Sequence, residues 1–132
     1  WPLMRVEEMI FIKAEGEAMS GNLSRAKTTL EEFVKTHRDP SYTCKVTSAQ
    51  EMQDEIWMQR RVELWGEGFA LFDILRLKKP IERKGTNYEA IVQYNLEPES
   101  QIMIYRIPLG EIESNEGISE TDNNPAAPQP TV

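Results

Sequence analysis

Gln59-Arg60-Arg61-Val62-Glu63-Leu64-Trp65-Gly66-Glu67-Gly68-Phe69-Ala70-Leu71-Phe72-Asp73-Ile74-Leu75-Arg76 interleaves charges with large apolar residues, and its reading decides the fold. On a helix Arg60 lies three residues from Glu63 and four from Leu64, so its guanidinium sits beside both a carboxylate and an apolar stripe. Arginine suits such a place because its planar fork satisfies several acceptors at once. Gly66 and Gly68 interrupt the pattern before a second apolar group, Phe69, Phe72, Ile74, Leu75 and Leu77. The stretch therefore reads as the end of one helix, a break, and a short helix over about 68–77 closed by Pro80.

Working back from it, Ser48-Ala49-Gln50-Glu51 has the form of a capping box, which starts the third helix there with Met52, Ile56 and Leu64 on its buried face. Further upstream, Val6, Met9, Ile10, Ala14 and Ala18 recur at helical spacing, as do Leu23, Ala26, Leu30, Phe33 and Val34. Gly21 separates the two stripes and Asp39-Pro40 ends the second. Two helices joined by so few residues lie antiparallel, as in the hairpin from which tetratricopeptide arrays are built. The segment 39–47 reads as a loop.

Beyond Pro80 the periodicity fades. Ile102-Met103-Ile104-Tyr105-Arg106-Ile107 is β-prone, and reads as an extended segment with no strand partner visible in the sequence. After Glu116 the chain turns to Gly, Ser, Asn, Asp and Pro, a composition that either packs on the body or stays mobile. The expected architecture is all-α: a tetratricopeptide-like helical hairpin plus two further helices over about 5–80, then an extended irregular carboxyl-terminal segment and tail over about 81–132.

With 132 residues, of which 39% are hydrophobic, the chain is long enough for one core. Its net charge of -7 repels polyphosphate, which argues against nucleic acid as a partner. The one cysteine, Cys44, has no partner for a disulfide and no Cys/His cluster beside it, so a small buried hydrophobe is the expected role; His37 likewise lacks a ligand partner at i+4. No run reaches the about 18 apolar residues that span a bilayer, and Trp1-Pro2-Leu3-Met4-Arg5 lacks the order of a signal peptide. A start without Met that runs almost directly into a helix suggests part of a longer protein.

Two readings of the charged stretch compete. Glu63, Glu67 and Asp73 form an acid cluster that would serve general acid/base chemistry if two of them faced one cleft. Alternatively Arg60, Arg61, Glu63, Glu67, Asp73 and Arg76 form a structural ion network at the junction of the third and fourth helices. The interleaved arginines favour the network, since they hold acids ionised, and no nucleophilic constellation lies nearby. No catalytic residue, metal site or cofactor is expected. Trp57, Trp65, Phe69 and Phe72 are expected in the core. Tyr42, Tyr88 and Tyr94, in the less periodic segments, offer aromatic faces for a ligand site, but nothing in the sequence brings them together.

The same stretch resembles the SusD/RagB family, whose carboxyl-terminal region carries a helix reading I-x-x-E-R-R-x-E-L-x-x-E-G-x-R-x-F-D-L-x-R. The match runs through Ile56, Arg60, Arg61, Glu63, Leu64, Glu67, Gly68, Phe72, Asp73 and Arg76; Gln59 and Ala70 depart from it and each removes a charge. The segment from Pro2 to Glu15 is similar to the family's R-x-A-E-x-x-L-x-x-A-E helix, Ile107-Pro108-Leu109-Gly110-Glu111-Ile112 to its I-P-x-x-E-I turn, and Asn124-Pro125 to its terminal asparagine-proline.

This resemblance implies the carboxyl-terminal region of a non-catalytic lipoprotein on the outer-membrane surface. Such a protein binds oligosaccharide, or in some members peptide, and delivers it to a SusC-like TonB-dependent transporter. Membrane attachment would come only through a lipid anchor outside this chain, and Cys44 does not correspond to the lipidated residue. A tetratricopeptide-like scaffold for a protein partner is the alternative. The ligand-binding residues stay unknown at this stage.

Overall fold

The computed structural model describes residues 4–128 and 130, which fall into two compact units, Trp1–Ala70 and Leu71–Val132. In the first unit α1 (Val6–Met19), α2 (Leu23–His37) and α3 (Ala49–Glu63) pack together, α1 lying against both of the others. Gly21 ends α1 as the helical spacing predicts. With φ at 90° it occupies the left-handed region open to glycine, and the Gly21 and Asn22 amides donate to the carbonyls of Ala18 and Glu17. That closing motif turns the chain back into α2 within three residues.

Phe11, Ala14 and Ala18 from α1, Ala26, Leu30, Phe33 and Val34 from α2, and Met52 and Ile56 from α3 make the core. Phe11 and Phe33 meet edge to face with ring centroids 5.1 Å apart, a favoured aromatic geometry. Here α1 corrects the expected stripe: Val6 is 72% exposed and Met9 also faces outward, while Phe11 is fully buried. Apolar residues occur on nearly every side of α1, so spacing alone cannot select the inner face. The small Ala14 and Ala18 do select it, by letting two helices approach on the side they share with Phe11.

The loop over 39–47 is tied to the helices it joins. Cys44 is a buried free thiol, 3.7 Å from the Met52 sulfur, and its backbone N–H donates to Glu31 at 2.9 Å. At the start of α3, the Ser48 Oγ accepts from the Glu51 N–H at 3.1 Å while the Glu51 carboxylate accepts from the Ser48 N–H at 3.2 Å. The capping box is thus formed as the sequence predicts.

In the second unit α4 (Ala70–Arg76, whose first residue belongs to the first unit) ends through Lys78, whose φ of 51° is unusual for a residue with a side chain; the Lys78 and Lys79 amides donate to Leu75 and Ile74. Ile81 and Leu96 form an antiparallel bridge, with N–H···O distances of 2.9 and 2.8 Å, that closes the loop between them. A short α5 (Leu109–Ser114) follows Pro108, whose missing N–H costs nothing at a helix start.

The β-prone run begins in a 3-10 turn over Gln101–Met103 and then continues as extended, non-strand backbone from Ile104, with Ile104 and Tyr105 exposed. Its main-chain groups pair instead with side chains of the tail. Asn123 accepts from the Ile107 N–H at 2.9 Å and donates to the Ile107 carbonyl at 3.2 Å, and Asn124 donates to the Tyr105 carbonyl at 2.7 Å. One asparagine amide thereby stands in for a strand neighbour, and the tail is fixed through Asn124.

Trp65 and Phe72 also correct the expected core, being 85% and 68% exposed. Trp65 comes after the last turn of α3, where Gly66 at φ 78° turns the chain away from the buried face that ends with Leu64. Seven-residue α4 buries Asp73 in place of its phenylalanine.

Candidate functional site

The six charged residues of the decisive stretch divide between the units. Arg60, Arg61, Glu63 and Glu67 belong to the first, and Asp73 and Arg76 to the second. The arginine that reaches Glu63 and Glu67 is Arg5, at the head of α1. Its guanidinium lies 3.3 Å from Glu63 and also contacts Glu67 and Glu7. The hydrogen bond to Glu7, then that to Glu67, raises the Arg5 pKa further above its ordinary value, and Arg5 in turn lowers that of Glu7. Arg38, just past the end of α2, approaches the other oxygen of Glu63 at 3.6 Å.

Arg60 is 5% exposed; it lies 3.5 Å from Glu8 of α1 and 5.9 Å from the centre of the Phe69 ring. Arg61 stands 5.1 Å over Trp57, and Arg76 donates to the buried Asp73 at 2.9 Å. Glu63 is thus shared by the guanidinium groups of Arg5 and Arg38, whereas Arg61 meets an aromatic ring and Arg76 pairs with Asp73 within one helix. Sequence reading missed Arg5, Arg38 and Glu8. A basic residue ahead of the acidic pair Glu7-Glu8 was visible, but its partners lie 58 and 62 residues away, beyond any local spacing rule.

The three tyrosines part ways. Tyr42 is tied into the first unit, its hydroxyl donating to Glu55 at 2.6 Å. Burial first, and then that carboxylate, pushes the phenol pKa up, so the ring acts as a tether. Tyr88 and Tyr94, by contrast, converge on one guanidinium: Arg83 lies 5.3 Å from the centre of the first ring and 5.4 Å from that of the second. Its Nη1 donates to the Tyr94 hydroxyl at 3.3 Å.

The backbone around this stack is held by amide side chains. Asn95 accepts from the N–H groups of Arg83 and Lys84 at 2.9 and 3.1 Å, and Gln93 donates to the carbonyls of Tyr88 and Thr86 at 2.7 and 3.2 Å. Gly85, at φ 74°, makes the turn that returns the chain towards Tyr88. The sequence offered the tyrosines but not Arg83 as their common centre.

An all-α, tetratricopeptide-like protein with an ion-paired helical body defines the class. The family model for the SusD family matches residues 1–125, and the chain belongs to that family. Two crystal structures from Bacteroides vulgatus ATCC 8482 are similar to it. One, of a SusD superfamily protein, shares 31% identity at a TM-score of 0.75, with 96% of this chain and 28% of that chain covered. The other, of a SusD-like carbohydrate binding protein, shares 28% identity at a TM-score of 0.67, with 94% of this chain and 30% of that chain covered. The chain thus spans less than a third of the length of either. No curated protein sequence matches it.

Proposed function

We propose that the protein captures oligosaccharide without hydrolysing it, on the outer-membrane surface, and delivers it to a SusC-like TonB-dependent transporter. The match to the SusD family over residues 1–125 carries this reading. The solved neighbour described as a carbohydrate binding protein supports the ligand class. Glu63 and Glu67, two of the three acids of the cluster weighed for acid/base chemistry, both contact Arg5, which supports a structural role for them. The same structural role is proposed for Arg60, Arg61, Asp73 and Arg76. Among the described residues no helix is long and apolar enough to cross a membrane, and the proposed attachment is a lipid anchor outside this chain.

Immobilised oligosaccharides, with peptides as a second panel, test the reading when binding and product release are followed together. Binding to glycans with no product is expected. Turnover that Glu63→Gln or Glu67→Gln abolishes, with folding intact, would overturn it. The α1–α2 hairpin also favours a second reading, a scaffold for a protein partner. A signal peptide ending at a lipidated cysteine in the full gene distinguishes the capture protein from that scaffold.

A further inference from the structure

We infer that the loop closed by the Ile81–Leu96 bridge is an oligosaccharide contact, with Tyr88 as the platform for a sugar ring and Arg83 as its hydroxyl-binding edge. The inference rests on the glycan-capture reading and locates the contact within the chain. A sugar ring offers two kinds of surface, a face of C–H groups and a rim of hydroxyls. The first is matched by the negative face of an aromatic ring and the second by planar, multidentate donors. Tyr88 and Arg83 bring one of each within a few ångströms.

Tyr88 is 53% exposed, and a single exposed aromatic would ordinarily need no explanation. What distinguishes this one is the support beneath it. Gln93 holds the Tyr88 carbonyl at 2.7 Å, Asn95 holds two successive N–H groups at the base of the loop, and the bridge fastens the loop's ends. Polar side chains thus fix the backbone of a loop whose tyrosine remains in water. Fixing the ring before the ligand arrives lowers the ordering cost of binding, which matters most for a weakly held, solvent-facing ligand.

Arg83 contributes in two ways. Its guanidinium carbon lies within 5.4 Å of the centres of both the Tyr88 and Tyr94 rings, and its edge carries the N–H donors, one of which already finds the Tyr94 hydroxyl. Vicinal hydroxyls of a pyranose match the spacing of such an edge. The overall charge of -7 disfavours the other ligand of stacked aromatics and arginine, a single-stranded nucleic acid.

The test titrates the protein with soluble malto-, cello-, xylo- and manno-oligosaccharides, following heat of binding and the tyrosine ring resonances. Tyr88→Ala is expected to weaken the best ligand by about tenfold or more, equivalent to about 1.4 kcal/mol. Tyr88→Phe, which keeps the ring, should stay within about twofold, and both variants should melt with the unaltered protein. Trp65→Ala, at a more exposed aromatic outside the loop, should leave affinity unchanged. Binding that survives Tyr88→Ala, or is lost in Trp65→Ala instead, would overturn the site while leaving glycan capture standing. A lowered melting temperature in Tyr88→Ala would make Tyr88 a structural residue and also overturn it. Failure of the unaltered protein to bind any oligosaccharide, there and on the immobilised panel, would remove both readings.

Discussion

Helices of 14, 15 and 15 residues build the first unit, whereas those of the second run to 7 and 6. Helices as short as the latter are marginal on their own in water, because nucleation consumes what few hydrogen bonds they gain. The first unit is held by apolar side chains meeting across three helices. The second relies heavily on amides and hydroxyls turned back onto the main chain, among them Asn95, Asn123, Asn124 and Gln93. Residues that look like loop filler in a sequence can therefore be the ones that define the loop.

The contrast breaks most directly at Phe11. Phe11→Ala removes a fully buried ring from the centre of the first unit and should cost about 3–5 kcal/mol, read from urea unfolding. A loss below about 1 kcal/mol would mean that the three-helix core does not dominate. Asp73→Ala comes next, because Asp73 is 3% exposed. It accepts from Arg76, among other interactions, and removing it deletes a buried charge-assisted hydrogen bond, so about 1–3 kcal/mol is expected, with glycan affinity unchanged in folded protein. Normal stability with lost binding would move Asp73 into the ligand site.

A smaller and more local effect is expected from Asn123→Ala. Both of its bonds to Ile107 go, at about 1 kcal/mol, and hydrogen exchange should quicken at the Ile107 N–H while the first unit's amides stay protected. Acid gives the gentlest probe. Lys35 first, then the Cys44 N–H, lowers the pKa of Glu31 from its ordinary 4.5. A folded pKa below the unfolded one gives stability that is complete above pH 4.5 and is lost as pH falls through the folded value. Glu31→Gln should accordingly flatten the fall of the melting temperature below pH 4.5. An unaltered slope would show that the contact contributes nothing.

Much of the first unit was legible in the sequence because its determinants are local. The α2 stripe, the box at Ser48 and Glu51, and the stop at Gly21 each depend on residues within a few positions of one another. The inner face of α1 was legible in part: Ile10, Ala14 and Ala18 lie on it as their spacing predicts, but apolar residues surround the helix and only the neighbours decide between Met9 and Phe11. The run at Ile102–Ile107 was legible as extended from Ile104 onward, but not its partners, which are side chains sixteen and nineteen residues on. In the candidate glycan loop both tyrosines were visible; what joins them is Arg83, placed by a backbone path set by Asn95 and Gly85.

Arg5 carries a consequence in time. Its contacts with Glu63 and Glu67 close a span of about sixty residues, and they require the start of α1 and the end of α3 to be already side by side. Closing so long a span is entropically costly, so the contact is expected to form after the folding barrier has been crossed. The clamp then governs how long the native unit lasts more than how quickly it is made. Replacing Arg5 by glutamine should quicken unfolding and leave the refolding rate near its original value.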